Sequence, residues 1–85
     1  MSRFGFTEID EPVKVGAVFE NMKVRPRWFI WRKSKYNLKK ITYNWVDFDG
    51  NTKILCFSVW DGKNLYEISF NLRLVSWKLT KVYLE

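Results

Sequence analysis

The sequence predicts an all-β domain: a small antiparallel sheet of about six strands, bent strongly enough to close into a barrel or sandwich. Three observations carry that expectation. Apolar residues alternate with polar ones at period 2 in segment after segment, whereas the i, i+3, i+4 spacing of a helix is nearly absent. Turn-forming clusters such as Asp49-Gly50 and Asp61-Gly62 separate these segments. In two places the apolar residues change parity within one segment, which a strand permits only at a bulge or bend.

In chain order, residues 1–11 read as an irregular N-terminal arm of a single domain spanning residues 1–85. Val13, Val15, Ala17 and Phe19 alternate as a strand, and Gly16 between them permits a bulge or a close approach. Pro26 precedes Arg27-Trp28-Phe29-Ile30-Trp31, whose aromatic and β-branched side chains suit a pleated surface. Arg32-Lys33-Ser34-Lys35 is polar and turns the chain. Tyr36 and Leu38 share one parity, Ile41, Tyr43 and Trp45 the other, so a bend is expected near Lys39-Lys40. Asp47-Phe48-Asp49-Gly50-Asn51 reads as a turn. Lys53 to Trp60 is apolar on both parities, as befits a central strand covered on both sides.

Asp61-Gly62-Lys63-Asn64 is the clearest hairpin signal. Tyr66, Ile68 and Phe70 then alternate with polar residues. Val75, Trp77 and Leu79 open the last strand, and Val82 and Leu84 imply a second parity switch near Thr80-Lys81.

Composition narrows the chemistry. There is no histidine, which removes the commonest general base and metal ligand. Cys56 is the only cysteine, so no intrachain disulfide or multi-cysteine metal site is possible. Its place in an apolar strand reads as packing rather than a reactive thiol. The four glycines form no phosphate-binding fingerprint. Asp47, Asp49 and Asn51 alternate like the start of a calcium loop, but the glycine comes too early and the closing glutamate is missing. A non-enzyme without cofactor or metal is expected. No apolar run is long enough for a membrane helix, and the acidic start is not a secretory signal, so the expected location is the cytoplasm.

Charge is concentrated. Residues 21–45 hold eight basic and six aromatic side chains and no acidic one, against a net +6 for all 85 residues. Such a block attracts polyanions, nucleic acid above all. The candidate contacts are Arg25, Arg27, Arg32, Lys33, Lys35, Lys39 and Lys40 for phosphates and Trp28 for stacking, since Phe29, Trp31, Tyr36 and Trp45 have the stronger claim to the core.

Competing readings of the same residues are a solvated face, or edge lysines that discourage sheet-to-sheet pairing. A protein partner or a homodimer, joined through a strand edge or aromatic patch, is the alternative function. Asp10 and Glu11 are candidates to neutralise part of the block within the fold. Glu67, on the polar parity of its strand, reads as solvated or paired with a lysine.

IDEPVKV at 9–15, RPRWFIWRKSKYNLKKI at 25–41 with Trp45, and LYEISF followed by WKLTKVY resemble a family of small bacterial domains of unknown function. Members occur alone, and a similar domain ends some polymerase-like accessory proteins of translesion synthesis. The matching positions are Asp10, Glu11, Pro12, Pro26, Phe29, Trp31, Tyr36, Trp45, Tyr66, Glu67, Trp77 and Tyr83. The chain departs from that pattern in having Lys-Ser in place of a glycine-containing turn after Trp31 and in lacking the usual acidic or glycine residues from Asn71 to Ser76. The resemblance implies a β fold, no enzyme activity, no cofactor, and the company of DNA-repair proteins.

Overall fold

The computed structural model describes residues 5–84. They form seven strands: β1 (Gly5–Glu20), β2 (Lys23–Trp31), β3 (Ser34–Asn37), β4 (Lys40–Asp49), β5 (Thr52–Trp60), β6 (Leu65–Asn71) and β7 (Ser76–Leu84). All belong to one antiparallel sheet in the order β3-β2-β1-β7-β6-β5-β4. That order is a cycle of sequence neighbours opened between β3 and β4.

Each sequence bend has a structural counterpart. Consecutive amides part company at the third segment: Leu38 N donates to Arg27 O on β2, and Lys39 N to Trp60 O on β5, both at 2.8 Å. The segment read as one bent strand is therefore two strands on opposite edges of the sheet, which makes seven rather than six. A bulge at Thr42 follows, so that Ile41 faces Val59 and Tyr43 faces Ser58. Thr80 is skipped by both of its neighbours, with Lys81 opposite Glu67 and Leu79 opposite Ile68. It restores Val82 to the inner face.

Two local expectations need correction: Asp47, Phe48 and Asp49 belong to β4, so that the turn is confined to Gly50-Asn51, and the N-terminal arm is a strand. Residues 5–11 are not an irregular arm but the first half of β1, paired with β7 from Gly5↔Leu84 onward; residues 1–4 lie outside the described residues. The bent antiparallel sheet is as the sequence predicts, in its sandwich-like form: it is not closed into a barrel. β3 has only four residues and covers β2 from Trp28 to Trp31, with Leu38 N reaching Arg27 O, and leaves the outer edge of Lys23 to Pro26 unpaired among the described residues. Pro26 lies in that stretch, where a residue without an N–H is tolerated.

The core lies in the concavity and comprises Phe29, Phe57, Val59, Tyr66, Ile68 and Leu79. Phe29 stacks on Tyr36 at 4.9 Å and meets Tyr66 edge-on at 5.1 Å between centroids. The Tyr66 hydroxyl donates to Asp61, which also accepts the Lys63 and Asn64 amides and so fixes the β5–β6 loop. Burial, with Asp61 beside it, pushes the Tyr66 hydroxyl up to about 12. The β2–β3 and β6–β7 loops, both without glycine, are strained. Arg32 and Lys33 form the β2–β3 turn at φ 51° and 69°, and the β-branched Val75 sits at φ 52°.

Candidate functional site

The basic block divides into three places. On the outer face of β1-β2-β3, Trp28 lies opposite Gly16 on one side and Asn37 on the other. A Cβ at Gly16 would come within 2.1 Å of the indole, so Trp28 packs flat onto the bare backbone there. Lys35 places its ammonium 4.9 Å from the same ring. Trp28 is thus outward, as its parity requires, but half-buried and already in contact. Gly16 provides the close approach its place in the strand suggested, and the β1–β2 register shifts beside it.

At the β2–β3 turn, Arg32 is held by Glu11 at 2.9 Å and lies 4.6 Å from the Trp31 ring. Glu11 also accepts from Trp31 Nε1 at 2.8 Å. The Arg32 and Trp31 hydrogen bonds hold its carboxyl below the usual carboxylate range. Part of the block is therefore neutralised internally, here by Glu11 and not by Asp10, which pairs instead with Lys78 at 3.1 Å. Lys33 stands at the tip of the turn, away from the remaining cations.

The third place is the open seam. The free edge of β2 and the start of β4 flank two adjoining clefts of about 510 and 500 Å³. Lys23 and Arg25 line the first, Arg25, Arg27, Lys39 and Lys40 the second, and no carboxylate among the described residues lines either. Arg25 has an exposed partner in Glu20 at 3.5 Å; Lys23, Arg27, Lys39 and Lys40 have none within 4 Å among the described residues. The floor is apolar, with Val24, Ile41, Leu55 and Phe57, and Trp45 joins the wall. Lysines and arginines facing one another across the gap repel, which opposes zipping the two edges into a ladder.

Of the expected contacts, then, Arg25, Arg27, Lys39 and Lys40 converge, while Trp28, Arg32, Lys33 and Lys35 do not join them. Sequence reasoning passed over Lys23, although it belongs to the block, and assigned Trp45 to the core, whereas it is half-buried and stacks on the exposed Tyr43 at 5.6 Å. The sign of its place was available in the pairing of Tyr43 and Trp45 on one parity beside the expected bend.

Elsewhere the polar groups are engaged. Glu67 has a side chain only 13% exposed, with Lys81 at 3.9 Å and the Tyr83 hydroxyl donating at 3.2 Å. The lysine pair is as its strand position suggested, the solvation is not. Cys56 is buried, and burial, with Asp47 and Glu67 adding, pushes its thiol up to about 11, far from thiolate chemistry at neutral pH. Among the described residues no three His, Cys, Asp or Glu side chains are grouped to hold a metal, and no helix is long and apolar enough to cross a membrane. Comparison with protein-family models, with curated proteins and with solved structures gives no match.

Proposed function

We propose that this chain is a non-catalytic binding module that holds nucleic acid in the basic seam between β2 and β4. The observation carrying this reading is the convergence of Lys23, Arg25, Arg27, Lys39 and Lys40 on adjoining clefts lined by no described carboxylate. Cations from two separate strands facing one channel match a chain of phosphates, and releasing its counterions drives association. The resemblance to a domain that ends some polymerase-like accessory proteins of translesion synthesis favours DNA in a repair setting.

The test is charge reversal in two variants of equal net charge, both four below the wild type's +6. Arg27→Glu/Lys40→Glu should abolish oligonucleotide binding in fluorescence anisotropy without lowering the melting temperature. Lys14→Glu/Lys33→Glu, outside the seam, should leave most of the affinity in place. Equal losses from both pairs would sink the assignment to the seam.

One observation favours a second reading. β4 ends the sheet with an unpaired edge and exposed Tyr43, Val46 and Phe48, which suits strand addition by a protein partner or a second copy. A concentration-dependent dimer in sedimentation, lost on placing proline at Val46, would support it.

A further inference from the structure

The seam is asymmetric, and its asymmetry bears on which form of nucleic acid it takes. One wall of the cleft beside Trp45 is β2, with Lys23 and Arg25; the other is β4 and β5, with Val46, Leu55 and Phe57. Beyond it the inner face of the sheet runs out past the core. Phe19 rests edge-on against Phe70 at 5.9 Å, Phe70 pairs with Leu55, Leu55 with Val46, and Phe48 follows on the same face opposite Lys53. Phe19 and Phe48 nevertheless stay 61% and 63% exposed, and Met22 at the β1–β2 turn is wholly so.

A contiguous apolar rim beside cations, of which only Arg25 has a carboxylate partner among the described residues, is costly to leave in water unless a ligand with both charges and flat apolar faces covers it. Unpaired nucleotides have that chemistry. A duplex turns its base faces inward and offers only phosphates.

Resting on the reading of the seam as a nucleic-acid site, we infer that it takes a single strand. Phosphates lie on the Lys23–Arg25 wall, and bases lie against Val46 and Leu55 and stack on the rim formed by Phe19, Met22 and Phe48. Charge complementarity selects this occupant over an apolar peptide. The aromatic rings tolerate any base, so the strand is held with little sequence preference.

The experiment compares a fluorescein-labelled twelve-nucleotide oligothymidylate with a twelve-base-pair duplex, for the wild-type chain and for Phe48→Ser/Met22→Asn. Both residues are exposed, and asparagine suits the φ of 62° at position 22, so folding should be retained. Met22→Asn alone serves if the double variant unfolds. The expected result is a single-strand preference that falls on the order of tenfold in the variant, with duplex affinity unchanged. Equal affinity for both forms, unmoved by the variant, would overturn the single-strand inference and leave the basic seam standing. Binding of neither form would overturn both.

Discussion

The two halves of the curved sheet differ in what their apolar side chains touch. Across β5, β6 and β7, Val59, Ile68 and Leu79 are completely buried, and Phe29 and Tyr66 close over them from the concave side. Across the seam, Phe19, Val46 and Phe48 lie on the same inner surface and face water, with Met22 exposed at the β1–β2 turn and cations on the β2 side. Both halves come from the same period-2 strands. What separates them is edge pairing. Where every strand has two neighbours, the sheet can curl onto its own side chains; where the first half of β2 and the whole of β4 lack one, like charges keep the edges apart. The closed half therefore supplies stability, and the open half leaves surface for a ligand.

The sharpest way to break this contrast is a matched pair of truncations. Ile68→Ala, in the closed half, should cost about 2–5 kcal/mol of unfolding free energy. Phe48→Ala, of larger side chain but at the rim, should cost no more than about 0.5 kcal/mol, as exposed positions do. Urea melts of the two variants read this directly, and comparable costs would mean that the rim is packed in solution.

A smaller effect is expected where β1 passes from β7 to β2. Gly16→Ala places a methyl group where the Trp28 indole lies, so the ring must move, at about 1–3 kcal/mol. Trp28 fluorescence should shift with it, because its contact with Gly16 and Lys35 would loosen. An unchanged midpoint and spectrum would show that the indole does not rest on Gly16.

The smallest effect is a pH dependence. The carboxyl of Glu11 is lowered in the fold, so the unfolded chain takes up the proton first. Its contribution is present above the ordinary carboxylate pKa and is lost as pH falls through the lowered folded value. Glu11→Gln keeps an acceptor for Trp31 Nε1 but removes the charge facing Arg32. Its melting temperature should therefore vary less than the wild type's between about pH 5 and pH 3. Parallel curves would show that the Arg32 contact adds nothing.

Much of this architecture was legible in the residues because strand parity is strict. The switch from Leu79 to Val82 required one extra residue, and Thr80 is that residue. The switch from Leu38 to Ile41 required a bend, although parity alone could not say that the chain also leaves one sheet edge for the other there. That step depends on Arg27 O and Trp60 O being available, which is a tertiary fact. The first half of β1 escaped notice because its partner, β7, is the last strand of the chain and its ladder is interrupted at Ile9 and Asp10, where Asp10 takes φ 52°.

The candidate site was legible as a composition and not as a place. Eight cations in one stretch cannot reveal that a turn at Arg32-Lys33 sends some away while the step at Leu38-Lys39 returns others to face Arg25 and Arg27. Trp28 was rightly read as outward; that it is covered depends on the β1–β2 register, which sets Gly16 opposite it.

The central claim is that the cations of the seam meet phosphates. Its most direct test is the salt dependence of single-strand affinity, from roughly 50 to 200 mM, for the wild-type chain and for Arg27→Ala/Lys39→Ala/Lys40→Ala. If the three side chains each neutralise a phosphate, the log–log slope should become shallower by about 2, near 0.7 for each contact removed, with stability unchanged. An unchanged slope, or no saturable binding by the wild-type chain at the lowest salt, would contradict the account.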